Sequence, residues 1–162
     1  SKKWGKVHYF IAGKGDLEED LLNKAKEYGI QNQVHLLGFR EDIADLLKAS
    51  DVFVFPSLQE GLSLALMEAM AAKVPCLASD IRGNRDLLRN NKTTALANPT
   101  DAKEWAKKII PFTETSRGSL KSPGYPMKKY DKKRVQTKMK RIYQYVLKKD
   151  RSGSDTTILD SV

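Results

Sequence analysis

The chain has a single cysteine, Cys76, and only 8% aromatic residues among 162. It also has no apolar run near the ~18 residues that a membrane span needs. A lone thiol excludes a disulfide within the chain, and no metal cluster is visible, which fits a reducing cytoplasm. Cys76 lies inside an apolar run and reads as a small buried hydrophobe rather than a catalytic thiol. The opening residues, SKKWGKVHYF, lack the apolar centre of a signal peptide. Length allows one domain with a respectable core, not two.

The net charge of +9 is unevenly placed. Residues 121–151 hold 12 Lys and Arg against Asp131 and Asp150, so the remainder carries 17 basic and 18 acidic residues and is close to neutral. The basic stretch includes an amphipathic pattern at 128–150, with Val135, Met139, Ile142, Tyr143, Val146 and Leu147 along one stripe. A linker rich in Ser, Gly and Pro is expected at 113–127, and a disordered tail at 151–162. The basic helix lacks interleaved solvent-facing aromatics, so nucleic acid is not an expected partner. A helix capping the core and one meeting an anionic membrane surface both remain open.

Residues 1–112 alternate short apolar runs with helical patterns. Strands are expected at 7–12, 34–37, 52–55, 76–79 and 94–97, and helices at 16–28, 42–49, 62–72 and 101–110, with a short one from 86. Asp16, Asp42 and Thr100 or Asp101 are candidate N-caps, Gly29 a stop signal, and Gly83-Asn84 a turn. Trp105, Ile109 and Ile110 are expected to face inward. Such alternation argues for a doubly wound parallel α/β sheet, which binds ligands beyond the carboxyl ends of its strands. The loops at 13–16, 38–40, 56–64 and 79–84 all follow strands and are expected to converge there.

The most informative stretch is SDVFVFPSLQEGLSLALMEAMAAKVPCLASDIRGNRD, residues 50–86. Its helix is apolar nearly all round except for Ser63 and Glu68, and a carboxylate in such a helix needs a partner. Glu60 stands eight residues earlier. Were both helical, they would lie about 12 Å apart along the axis and roughly 80° apart around it. Between them a helix N-terminus offers unpaired N–H groups, and Gly61 lets a ligand come close. Two acceptors flanking an anion cradle suit a nucleotide sugar. The residues alone leave a second interpretation equally open, in which Glu68 pairs with a nearby base and Glu60 merely caps a helix. Gly13-Lys14-Gly15 after a strand is a weak phosphate-loop signal, and Arg40 suits a solvated surface position as well as a site.

EGLSLALMEAMAAKVPCLAS, with ASDVFVFPS before it and DIRGNRDLL after it, resembles the glutamate pair of glycosyltransferase family 4 donor-binding domains. That domain is the C-terminal, Rossmann-like half of the two-domain GT-B fold, and the likeness runs over roughly residues 6–110 and into the last helix. The resemblance implies that Glu60 holds hydroxyls of the transferred sugar and acts in catalysis. It gives the phosphates and sugar to backbone N–H groups of Gly61, Leu62, Ser63 and Leu64, and the ribose to Glu68. Gly13, Lys14 and Gly15 would lie near the nucleotide, and Gly38, Phe39 and Arg40 near its base. The implied reaction is hexosyl transfer from a nucleotide sugar, with a UDP-sugar favoured, to a glycan or lipid-linked acceptor. Configuration would be retained and no metal or other cofactor required.

Two features depart from that family. Its diphosphate-clamping Arg and Lys would precede Trp4, with Lys14 or Arg82 as partial substitutes, and Lys73 stands where glycine is common. The acceptor-binding domain is also outside this sequence and would have to be supplied in cis or in trans. Little or no turnover by this chain alone is therefore expected. It would be a fragment of a longer enzyme or a separately encoded donor-binding subunit, and a non-catalytic nucleotide-sugar sensor or scaffold is the alternative. SDIRGNRDLL is similar to enzymes of bacterial exopolysaccharide and capsule synthesis, which implies a cytoplasmic place, peripheral on the inner face of the membrane.

Overall fold

The structure is a computed structural model that describes residues 7–88, 94–114 and 131–152. Contacts divide the chain between Tyr125 and Pro126 into two compact units. The linker expected at 113–127 lies outside the described residues except for 113 and 114, which are helical, and the tail expected at 151–162 lies outside them except for 151 and 152, which also belong to a helix.

The first unit is an α/β domain. Its elements in order are β1 (Tyr9–Ala12), α1 (Glu18–Glu27), β2 (Val34–Gly38), α2 (Ile43–Ala49), β3 (Phe53–Phe55), α3 (Leu64–Ala71), β4 (Cys76–Ser79), α4 (Arg82–Leu88), β5 (Thr94–Ala97) and α5 (Ala102–Glu114). All pairings are parallel, but the strands form two sheets, β1-β2 and β3-β4-β5. Within the second, β4 is flanked on both sides and every one of its residues is buried. Burial of that kind needs a continuous run of small and apolar side chains, which CLAS supplies. Low dielectric there disfavours a thiolate, and burial pushes the Cys76 thiol up to about 12.

Helices pack the second sheet through Leu66, Ala69, Met70 and Leu87, all without meaningful solvent contact. Trp105 and Ile109 of α5 pack on a cluster of Leu77, Ala97 and Phe112. The Trp105 ring is fixed by its Nε1–H, which donates to Asn98 O at 2.8 Å. Asp101 caps this helix, its Oδ1 accepting from the N–H groups of Lys103 and Glu104 at 3.0 Å each. The helix extends past residue 110 and through Pro111, which brings Phe112 into the core; burying such a ring is worth ~1.5–3 kcal/mol.

Several helix ends differ from expectation. Leu17, not Asp16, is the N-cap of α1, and no side chain caps it. Asp42 occupies the N-cap of α2, but its carboxylate is taken by Arg40 instead of the helix amides. Gly29 does end α1, with φ +67°. After α3 the same left-handed position is held by Lys73, at φ +62°, closed by Val74 N donating to Ala69 O at 3.0 Å. That is where the resemblance had pointed to glycine.

The second unit contributes α6 (Lys132–Ser152), starting four residues later than expected. Val135, Met139 and Ile142 lie along one face of it and are exposed. Among the described residues, no helix is long and apolar enough to cross a membrane.

Candidate functional site

The loops that follow the strands form two clusters. In the first, the turns after β1 and β2 are tied together: Gly13 N donates to Gly38 O at 2.8 Å, and the Lys14 stem lies against Gly38. Gly13 and Gly38 have φ +139° and +63°, conformations that glycine adopts at little cost. Gly15 is exposed, and so is Phe39. Arg40 turns from this cluster to a bidentate pair with Asp42, 2.8 and 2.5 Å, which raises the guanidinium pKa and lowers that of the carboxyl.

The second cluster lies beyond β3 and β4. The chain leaves β3 through Pro56 and Ser57, whose hydroxyl lies 2.9 Å from Glu60 Oε1 and 3.1 Å from Gln59 O. Its one proton is shared between them, and Glu60 is held half-buried. Glu60 and Gly61 are not helical, so the spacing expected from helical geometry does not apply to them. The helix begins only after Ser63, whose buried Oγ accepts from Leu66 N at 3.2 Å. That cap leaves the N–H groups of Leu64 and Ala65 directed out of the first turn.

Glu68 is exposed, which corrects the expectation of a buried carboxylate. The reason is that α3 keeps one side open: Leu64, Ala65, Glu68 and Ala71 are exposed, while Leu66, Ala69 and Met70 are buried. An apolar helix need not be covered all round, and this one leaves the Glu68 side facing solvent. Among the described residues, the Glu68 carboxylate makes no hydrogen bond or ion pair. Leu58, Leu62 and Leu64 stand exposed around the same loop, an apolar rim near two carboxylates.

Beneath this loop lies α4, which begins at Arg82, not after residue 86, and contains Gly83 and Asn84 as buried helical residues. Gly83 has no unusual backbone angle; it is needed for space. A Cβ there would stand 2.3 Å from Gly61 O and 2.7 Å from Glu60 O. Asn84 Nδ2 donates to Ser79 O at 3.0 Å, and the fully buried Ser79 hydroxyl reaches Phe55 O at 3.5 Å. These ties join the ends of β3, β4 and α4 under the loop. Ser57, Ser79, Gly83 and Asn84 were not singled out for these roles by sequence, although Gly83 and Asn84 stand in the quoted motif. No described contact joins this cluster to the one at Gly13 and Gly38.

Parallel strands alternating with helices define an α/β class, the Rossmann-like half of a GT-B fold. Solved structures agree. Anabaena Alr3699/HepE in complex with UDP-glucose superposes with a TM-score of 0.66 at 25% identity, over 72% of this chain and 34% of that one. A mutant of Staphylococcus aureus TarM, in complex with Fondaparinux, alpha-GlcNAc-glycerol and UDP, gives a TM-score of 0.66 at 27% identity, over 70% of this chain and 23% of that one.

The model of the family "Glycosyl transferases group 1" matches residues 2–129, and the chain belongs to that family. A UDP-Gal:alpha-D-GlcNAc-diphosphoundecaprenol alpha-1,3-galactosyltransferase of Escherichia coli is 38% identical over 107 residues, 65% of this chain and 28% of the enzyme. The amylovoran biosynthesis glycosyltransferase AmsK of Erwinia amylovora is 34% identical over 118 residues, 68% of this chain and 29% of the enzyme. The chain thus spans between a quarter and a third of the length of these curated relatives.

Proposed function

We propose that this chain is the donor-binding part of a retaining hexosyltransferase that uses a nucleotide sugar, UDP-linked, in bacterial polysaccharide synthesis. The observation that carries this is Glu68: an exposed carboxylate with no partner among the described residues, on the open side of a helix whose first turn follows the loop bearing Glu60. Glu68 accepts from the ribose hydroxyls and Glu60, oriented by Ser57, from the sugar. The diphosphate sits at the start of α3, where Gly61, Leu62, Ser63, Leu64 and Ala65 offer N–H groups and the helix dipole favours negative charge. Fixed dipoles there stabilise the leaving group as the glycosidic bond breaks, without a metal. The tied turns at Gly13–Gly15 and Gly38–Phe39 supply the nucleotide end of the cleft. UDP on structural neighbours supports the choice of base.

The acceptor is a glycan or lipid-linked saccharide held by a further domain, and the donor part alone does not turn over. Peripheral contact with an anionic membrane belongs to the same proposal and is carried by α6, where exposed Val135, Met139 and Ile142 are flanked by Lys132 and Lys138. Calorimetric titration with UDP tests the donor site. Replacing Glu68 by alanine is expected to weaken binding at least tenfold, or about 1.4 kcal/mol. Unchanged affinity in that variant would overturn the assignment.

A further inference from the structure

Glu60 is held from two directions. Its backbone is pinned by α4, since a Cβ on Gly83 would stand 2.7 Å from Glu60 O. Its side chain is steered by Ser57, whose hydroxyl lies 2.9 Å from Oε1. Among the described residues that hydroxyl is the carboxylate's one hydrogen-bond partner, and no cation pairs with it. Oε2 has no described partner.

The local sequence makes this contact unusual. Ser57-Leu58-Gln59-Glu60 has the S-x-x-E spacing of a capping box, in which each side chain bonds a backbone N–H of the other residue at a helix start. No helix starts here, because α3 begins at Leu64 behind its own cap, Ser63. The side chains of Ser57 and Glu60 meet each other instead.

A serine hydroxyl carries one proton, and two acceptors lie within its reach: Glu60 Oε1 at 2.9 Å and Gln59 O at 3.1 Å. Rotation about the bond to Oγ moves that proton from the carboxylate to the carbonyl. Releasing Glu60 to an incoming hydroxyl therefore leaves Ser57 with a hydrogen bond. Without Ser57 the half-buried carboxylate has no described tether, and a ligand must order the long glutamate side chain itself, which weakens binding.

We infer that Ser57 is a positioning residue that makes the site prefer a sugar-bearing nucleotide to the bare diphosphate. It holds the Glu60 carboxylate toward the sugar and yields Oε1 to a sugar hydroxyl as its own proton turns to Gln59 O. Only the sugar half of the donor meets Glu60, so only that half senses Ser57. The inference rests on the donor-site reading and adds to it the residue that sets selectivity for the transferred group.

Calorimetric titration of the chain with UDP, UDP-glucose, UDP-galactose and UDP-N-acetylglucosamine separates the two halves of the donor. The readout is the affinity for the tightest UDP-sugar divided by that for UDP. Ser57→Ala is expected to lower this ratio about tenfold, while UDP affinity stays within about twofold. Ser57→Thr keeps the hydroxyl and should hold the ratio. Ser57→Val has nearly the same shape without the hydroxyl and should lose it as alanine does. Ser57→Ala added to Glu60→Ala should lower the ratio no further than Glu60→Ala alone. Should Ser57→Ala fail to fold, the threonine and valine pair decides. The inference is overturned by an unchanged ratio in Ser57→Ala or Ser57→Val, by equal losses in the threonine and valine variants, or by additive losses in the double variant. It is overturned as well if the unaltered chain binds UDP at least as tightly as every UDP-sugar. Each of these leaves the donor site standing, whereas a chain that binds neither UDP nor its sugars removes both.

Discussion

The two halves of the domain have similar apolar strands and opposite burial. In β4 all four residues are buried, and the core residues Leu66, Met70, Leu77 and Leu87 all belong to the half that starts at β3. In the other half three of the four β1 residues are exposed, and of α1, β2 and α2 only Ala25 and Leu47 reach the core. His8, Phe10 and His35 stack on one another, with Phe10 more than half exposed. Apolar sequence therefore fixes which segments want cover, while topology decides which receive it. Among the described residues, β4 has a strand on either side and β1 has one.

The largest test of this contrast is truncation in each half. Leu77→Ala should cost ~2–5 kcal/mol, as for other fully buried leucines, and Phe10→Ala under about 1 kcal/mol in the chain as it stands. Equal losses in chemical denaturation would break the comparison. Next in size is Gly83→Ala. Its methyl meets the Gly61 and Glu60 carbonyls, so the loop must move, at about 1–3 kcal/mol and with weakened UDP binding. A variant with wild-type Tm and UDP affinity would show that the loop yields freely. The smallest effect is a gain: Lys73→Gly relieves a left-handed lysine and should stabilise by ~0.5–1 kcal/mol, read from the shift in denaturation midpoint.

Much of the fold is legible in the residues. Val34, Cys76 and Thr94 begin strands where their apolar runs begin, and Gly29 ends α1 as its conformational freedom suggests. Asp101 caps α5 because its short carboxylate reaches two amides. The exposure of Glu68 is not legible, since hydropathy reports how much cover a helix wants and not which of its sides the fold leaves open. Nor is the role of Gly83 legible. Its need arises from a carbonyl two strands' connections away in sequence, and a glycine demanded by space looks like one demanded by angle. The division of the sheet is legible only after pairing is known, because YFIA and FVF look alike whether or not a neighbour lies beside them.

Cys76 sits at the start of the strand that both neighbours enclose, and its thiol is pushed up to about 12. At neutral pH an alkylating reagent finds thiolate there only in molecules whose central sheet has opened. With no second cysteine in the chain, every labelled molecule records one such opening. The rate of labelling is therefore a clock for the breathing of this half of the domain, readable by intact mass.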